Sequence, residues 1–196
     1  MKKPSEFKNL LEQNKKKEKI KKEKVDVKWI ITIVLIAFVI SFGLSFIANS
    51  TIPNLSLIFG IIITLLFIFI GILFDIVGVA VTSADEAVFH SMASRKVKGS
   101  NTAVRLKKSA DKTSSFCCDV IGDICGVISG AAGTTICAIL VTKYHTDLLL
   151  TGLIITAVIS SLTIGGKAIG KATAINKSTV ILFEFSKIVS CFYKGK

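Results

Sequence analysis

Four long apolar runs constrain how this 196-residue chain can fold. About 20 apolar residues of α-helix are enough to cross the hydrocarbon core of a bilayer, and each run reaches roughly that length. The first and last runs carry no charged side chain, the second carries one and the third carries two. The sequence therefore predicts an all-α integral membrane protein with four transmembrane helices. The runs are residues 29–48, 55–81, 116–141 and 148–166.

The distribution of the 25 basic residues predicts the topology. Residues 1–28 hold 11 of them, residues 84–115 hold 7 and residues 167–196 hold 6. Basic residues concentrate on the cytoplasmic loops of membrane proteins. We therefore expect a multi-pass protein of the cell membrane with both termini and the 84–115 loop in the cytosol. Topology and attraction of the basic tail to anionic lipid headgroups explain the positive charge, so no nucleic-acid partner is expected.

Composition divides the chain into three parts. Residues 1–28 form a lysine-rich cytoplasmic tail that lacks the apolar residues for a core. Residues 29–54 are predicted to form an anchor helix and a short outer loop, because the apolar run exceeds the roughly 7–15 residues of a cleaved signal sequence. Residues 55–196 are predicted to form a three-helix membrane domain with cytoplasmic juxtamembrane helices, and Gly99 marks a break among these helices.

Helical periodicity places small and acidic residues on shared faces of the second and third spans. At 100° per residue, Asp75 shares one face with Gly71 and Gly78. In the third span, two carboxylates fall on the same stripe as a series of glycines. Small residues at this spacing let helices approach closely, so both faces are predicted to contact protein rather than lipid. The residues of the stripe on the third span are Asp119, Gly122, Asp123, Gly126, Gly130 and Gly133.

Three charged groups from separate spans are predicted to meet at one level. At 1.5 Å per residue, Asp75 and Asp123 lie about 10 Å inside the cytoplasmic boundary, and Lys167 lies at the cytoplasmic end of the fourth helix. Ionisable groups inside a membrane are costly and are functional candidates by default. Two interpretations stay open. One is a cation site, because carboxylate and hydroxyl oxygens suit hard ions such as Mg2+ or Na+, and the other is a buried Asp–Lys pair that only fixes the helix register.

Four short motifs point to a known family. They are Ser83–Ser91 (SADEAVFHS), Gly99 with Ala103, Gly122–Ile124 (GDI) and Gly166–Lys171 (GKAIGK). In this order, the motifs resemble the membrane domain of the cyclin-M/CorC-type magnesium transporters over roughly residues 55–190. The resemblance implies transport of Mg2+ or a related divalent cation by a homodimer. Where the family has a glutamate, this chain has Lys167, whose ammonium could stand in the place of the bound cation.

The candidate site residues combine the family motifs with the charge argument. The resemblance implies metal ligation at Ser83, Asp123 and Gly166. Asp85 and Glu86 are expected to lie near the headgroups as a helix-terminal charge pair. The full set of candidate metal-site residues is Asp75, Asp119, Asp123, Ser83 and Gly166, with Lys167 as the charge partner.

Other function classes find little support in the sequence. The chain has no P-loop, GxSxG or HExxH motif, and its two histidines, His90 and His145, fall in loops predicted to lie on opposite sides of the membrane. The five cysteines match no metal-binding spacing. We therefore do not expect an enzyme. The alternative to ion transport or sensing is a membrane scaffold or partner subunit that transports nothing and whose Asp–Lys cluster is structural.

Overall fold

The computed structural model describes residues 27–51 and 56–192, and these residues form helices joined by short turns. The lysine-rich tail up to residue 26 and the outer-loop residues 52–55 lie outside the described part, so the predictions for them stay predictions. The helices are α1 Val27–Thr51, α2 Leu57–Ser83, α3 Glu86–Ser94, α4 Ser100–Lys108, α5 Ala110–Ser115, a π-helical segment Phe116–Gly122, α6 Asp123–Tyr144, α7 Leu148–Asn176 and α8 Ser178–Phe192.

Four of these helical stretches are long and apolar enough to cross a membrane. They are Val27–Ala48, Leu57–Ser83, Ala110–Tyr144 and Leu148–Asn176. The prediction of an all-helical chain with four membrane-spanning helices is therefore confirmed at this level. The orientation of the termini stays a prediction from the charge distribution.

Contacts group residues 27–34 of the described chain separately from residues 35–192. The boundary falls inside α1, whose apolar side chains are largely exposed, as expected for a helix that faces lipid. The three-part division predicted from composition stays a prediction.

Helices α2, α6 and α7 form a three-helix bundle in which α2 contacts both of the others. Isoleucine side chains of α2 pack directly against glycines of α7. A Cβ atom added at Gly170 would lie 2.7 Å from Ile76 Cγ1, and one added at Gly166 would collide with Ile72. Ile159 of α7 packs against Gly133 of α6 in the same way. Close approach of this kind favours helix association in membranes, where packing replaces the hydrophobic effect.

Beyond the end of α2, helices α3, α4 and α8 form a layer that we call the collar. Phe89 of α3 and Leu182 of α8 are fully buried at its centre, together with Val81 at the end of α2. Asp85 begins α3 by accepting a hydrogen bond from the Ala87 backbone N–H at 3.0 Å. The helical interpretation of the 84–115 segment is thus confirmed.

Gly99 provides the predicted break between α3 and α4. Its φ of +87° lies in the left-handed region, where a side chain is strained. A Cβ atom at this position would also lie 3.2 Å from Lys187 Cγ of α8. The break therefore needs a glycine for both conformation and space.

One lysine ties the collar to α2. Lys107 of α4 donates hydrogen bonds from Nζ to the carbonyl oxygens of Val81 and Thr82, at 3.0 and 2.7 Å. These carbonyls have no partner within the helix because they belong to its last turn. A cation at a helix C-terminus is also favoured by the helix dipole.

Candidate functional site

The buried face of α2 positions the candidate site. Gly71, Asp75 and Gly78 are buried along one side of α2, together with Gly60 and Thr64 nearer its start. The shared face predicted from the 100° periodicity is therefore confirmed for these residues. Because α2 is one unbroken helix of 27 residues, the periodicity holds along its length.

This face of α2 packs directly against the π-helical segment and the start of α6. A Cβ atom added at Gly71 would lie 3.1 Å from Cys125 Cβ and 3.4 Å from the carbonyl oxygen of Gly122. One turn on each side of Asp75, the backbones therefore approach closely. At Gly78, an added Cβ atom would collide with Cys118 Sγ and would lie 3.2 Å from the carbonyl oxygen of Ser114.

Asp75 lies between these two contacts and is 4% exposed. Its Oδ2 atom is buried and has no hydrogen-bond partner among the residues that the structure describes. The Sγ atom of Cys118 lies 3.7 Å from the Asp75 backbone carbonyl oxygen, to which it donates. Burying a polar oxygen without a partner costs free energy, and burying a charged one costs more. The position therefore calls for a compensating group.

Backbone oxygen atoms approach α2 one turn before and one turn after Asp75. The carbonyl oxygen of Gly122 lies beside Gly71, and that of Ser114 lies beside Gly78. The intervening chain, Phe116–Gly122, is π-helical, a form that is rare and frequently found at functional sites. One carboxylate with backbone carbonyls is a set of hard oxygen ligands of the kind that alkali and alkaline-earth cations accept.

Asp123 and Lys167 form the second charged element of the site. Lys167 Nζ lies 3.6 Å from Asp123 Oδ1, with side-chain exposures of 23% and 70% respectively. The ammonium also lies 3.7 Å from the position that a Cβ atom of Gly122 would take. The lysine thus lies beside Gly122 at the end of the π-helical segment, whereas the Asp123 carboxylate that it pairs with is exposed.

The three acids expected around one cavity are found in different environments. Asp75 is buried, whereas Asp119 and Asp123 are exposed. Among the described residues, no group of three or more His, Cys, Asp or Glu side chains could hold a metal ion. The π-helical segment has more residues per turn than the α-helix assumed in the calculation, which misdirects the face predicted for Asp119. Asp123 lies about 100° around the helix from Gly122, outside the part of the stripe that packs against other helices of the chain.

Glycines of the predicted third-span stripe also divide between two environments. Gly122 and Gly133 contact neighbouring helices, whereas added Cβ atoms at Gly126 and Gly130 would meet nothing within 4 Å. Within the chain, Gly126 and Gly130 are therefore open, on the side of α6 that carries Asp123. The prediction that the whole stripe contacts protein rather than lipid stays a prediction.

The remaining candidates lie apart from Asp75. Ser83 is exposed at the end of α2, and Gly166 is covered by Ile72. Asp85 caps α3. On the exposed side of the same helix, Glu86 Oε1 lies 3.1 Å from His90 Nε2. The assignment of Ser83, Gly166, Asp119 and Asp123 as metal ligands stays a prediction.

The helix bounds place the three charges toward the collar end of the bundle. At about 1.5 Å per residue, Asp75 lies roughly 27 Å from Leu57, Asp123 roughly 32 Å from Tyr144 and Lys167 roughly 28 Å from Leu148. The depth of about 10 Å predicted for Asp75 and Asp123 stays a prediction.

A separate cavity lies toward the other end of the bundle. It has a volume of about 240 Å³ and is lined by aliphatic side chains of α2, α6 and α7. Its one hydroxyl, on Thr64, donates to the Gly60 carbonyl oxygen at 2.8 Å and is thereby satisfied. The cavity offers no charged side chain, and all described charged residues of α2, α6 and α7 except Lys143 lie toward the collar end.

Sequence reasoning missed three features of the Asp75 site, namely the Cys118 thiol and the carbonyl oxygens of Ser114 and Gly122. Backbone carbonyls carry no residue-type signal, and the π-helical segment that orients them has no periodicity that could be read in advance. Comparison of the chain with protein-family models, with curated proteins and with solved structures finds no match. The resemblance to the cyclin-M/CorC-type transporters therefore rests on the four motifs alone.

Proposed function

We propose that this chain is an integral membrane protein that binds a cation at Asp75, as part of ion transport or ion sensing. The observation that carries the proposal is the buried Oδ2 atom of Asp75, which has no partner among the described residues. A cation bound at this oxygen would supply the missing compensation.

The geometry also supports access to one side of the membrane. Asp75 lies near the collar end of the bundle, whereas the opposite end is lined by aliphatic side chains. The basic residues of the collar and of the segments beside it favour placement in the cytosol. We therefore propose a site that exchanges its ion with the cytoplasmic side.

The family resemblance names Mg2+ as the first candidate ion and a homodimer as the assembly. Its motifs surround the same end of the bundle, at the end of α2, the start of α6 and the inner part of α7. Anionic headgroups at the basic tail complete the expected partners. Each of these points is part of the proposal.

The proposal can be tested by cation-dependent stability of the full chain in detergent. Unfolding can be followed with a thiol-reactive fluorogenic dye, because Cys117, Cys125 and Cys137 are buried. A ligand present at 100 times its dissociation constant stabilises the folded state by about 2.7 kcal/mol. We expect a cation-dependent rise in melting temperature that Asp75→Asn abolishes.

Asp111→Asn is the matched control, because it removes an exposed carboxylate on α5 that is not a candidate ligand. It should leave the cation response intact. If wild-type protein responds to no cation, or if Asp75→Asn responds as wild type does, ion binding at Asp75 is excluded.

The second candidate function is a structural one, a membrane scaffold or partner subunit without ion transport. The contact between Lys167 and Asp123 favours it, because an internal ammonium can neutralise a carboxylate without any bound ion. Under this alternative, the stability of the protein would be independent of the cation in the buffer. The titration described above therefore separates the two candidates.

A further inference from the structure

We propose that the apolar cavity between α2, α6 and α7, which we call the groove, binds a glycerophospholipid of the membrane, with an acyl chain in the groove and the phosphate beside Lys143. The proposal goes beyond the cation site and is independent of Asp75. It follows from the lining of the groove, from the contacts that close it toward the collar, and from the one charged side chain that continues its α6 face.

The groove runs along the bundle within the half that lies away from the collar. Its walls extend from Ile61 to Ile68 on α2 and from Ile154 to Leu162 on α7, which at 1.5 Å per residue is about 10–12 Å. On α2 this stretch begins about 6 Å from the first helical residue, Leu57. The groove therefore lies at the level of the acyl chains in the leaflet on the side opposite the collar.

Two helix contacts close the groove toward the collar. Ile72, one turn beyond the α2 wall, packs against Gly166 of α7 so tightly that a Cβ atom at Gly166 would collide with it. On the other side of α7, Ile159 packs against Gly133 of α6 in the same manner. The groove stays open to lipid along its walls, where Leu65 and Val158 are exposed. A chain that occupies it must therefore come from the leaflet opposite the collar.

The chemistry of the groove selects hydrocarbon. Its volume of about 240 Å³ exceeds the roughly 150 Å³ of an apolar cavity that stays dry and binds benzene. A water molecule needs two to four polar partners, and the Thr64 hydroxyl already donates to the Gly60 carbonyl oxygen. Left empty, the aliphatic side chains would lose dispersion contacts. The acyl chains that surround spanning helices can restore these contacts.

Lys143 supplies the charge that distinguishes a phospholipid from other hydrocarbon. It is exposed in the last turn of α6, and at 100° per residue it lies within about 60° of Ile136 and Leu140, the α6 residues that line the groove. It follows Leu140 by three residues, or about 4.5 Å along the axis. A lysine side chain can lay its methylenes on apolar surface and extend its ammonium to the headgroups.

The other polar groups at this end leave Lys143 available to a phosphate. Its Nζ atom lies 5.5 Å from the ring centroid of Tyr144, an aromatic residue typical of the membrane interface. Asp147 accepts hydrogen bonds from the backbone N–H groups of Leu149 and Leu150 and thereby caps α7. Among the described residues, no ion pair links Asp147 to Lys143.

The test uses lipids with brominated acyl chains, which quench tryptophan fluorescence on contact. On a Trp29→Phe background, which removes the natural tryptophan, Leu162→Trp places a reporter in the groove and Ile164→Trp places a control on another exposed side of α7. In micelles of uncharged detergent, brominated phosphatidylglycerol should quench the groove reporter saturably. The control should be quenched only in proportion to the lipid content, and equal profiles for the two reporters overturn the proposal.

Brominated diacylglycerol, which has the same chains without a phosphate, separates the headgroup from the chain. We expect it to bind the groove reporter about fivefold more weakly than phosphatidylglycerol. Lys143→Met should abolish this difference, whereas Lys171→Met, at an exposed lysine toward the collar, should preserve it. Equal binding of the two lipids by the protein with Lys143 intact overturns the assignment of a phospholipid.

Obstruction of the groove gives an independent measurement. Val158→Phe places a ring in the groove at an exposed position and should abolish saturable quenching, whereas Ala157→Phe, at the exposed neighbouring position outside the lining, should not. Saturable quenching that survives Val158→Phe contradicts the location. A groove reporter that is insensitive to lipid in a dimeric protein would assign the groove to a second copy of the chain and overturn the proposal.

Wild-type protein provides a readout that needs no variant. Its melting temperature, followed with the thiol-reactive dye, should rise more with phosphatidylglycerol than with diacylglycerol, and equal shifts contradict the proposal. Cation dependence is measured in separate titrations, so an absence of lipid binding would leave the proposed cation site standing.

Discussion

Gly78 is the position at which the close contact between α2 and the π-helical segment can be tested most directly. A Cβ atom there would collide with Cys118 Sγ and would lie 3.2 Å from the Ser114 carbonyl oxygen and 3.3 Å from Cys117 Cβ. Two of these three atoms belong to backbone or to a Cβ and cannot rotate away. Overpacking of this kind costs about 1–3 kcal/mol. Gly78→Ala should therefore destabilise the protein.

A glycine-to-alanine change also removes backbone freedom, which favours the helix by roughly 0.5–1 kcal/mol. Gly165→Ala controls for this gain, because an added Cβ atom at Gly165 would meet nothing within 4 Å. The two variants should differ by about 1–3 kcal/mol, or roughly 2–12 °C in melting temperature for a chain of this size. The fluorogenic thiol assay measures this difference on a Cys191→Ser background, which removes an exposed cysteine.

The double variant Gly78→Ala/Cys118→Ala sharpens the test. Removal of the Cys118 sulfur relieves the closest collision, so the second substitution should recover part of the stability lost in the first. Equal melting temperatures for Gly78→Ala and Gly165→Ala would show that the two helices do not approach as closely as described, and the surroundings assigned to Asp75 would then be wrong.

Two further predictions concern the collar. Leu182→Ala should cost about 2–5 kcal/mol, because Leu182 is fully buried, whereas Val180→Ala on the same helix, at a side chain that is 60% exposed, should change the stability by less than about 0.5 kcal/mol. Lys107→Met should cost about 1–2 kcal/mol by removing two hydrogen bonds to the end of α2, whereas Lys108→Met, at an exposed neighbour, should have little effect. Thermal unfolding of each pair measures both differences, and equal losses within a pair would contradict the corresponding contact.

The sequence predicted the helices of this protein better than it predicted their mutual contacts. Apolar run length is sufficient to locate a spanning helix, because the bilayer imposes a fixed thickness. The buried face of α2 was also predictable, since Asp75, Gly71 and Gly78 lie on one regular helix. Each of these features depends on local periodicity alone.

The third span shows where this reasoning stops. Its first seven residues, Phe116–Gly122, are π-helical, so a face calculated with 3.6 residues per turn is misdirected across Asp119. The calculation placed Asp119 and Asp123 on the face toward protein, whereas both are exposed. The contact of the Cys118 thiol with the Asp75 backbone joins two helices, and no residue pattern encodes such a contact.

Lys107 connects α4 of the collar directly to the last turn of α2. The helix is continuous from the carbonyls that Lys107 holds, at Val81 and Thr82, to the carboxylate six residues earlier in the chain. Asp75 and the end of α2 therefore belong to one unbroken helix, and a displacement of α4 would be transmitted to that helix through the Lys107 contacts. We expect Lys107→Met to weaken the mechanical connection between the collar and the bundle.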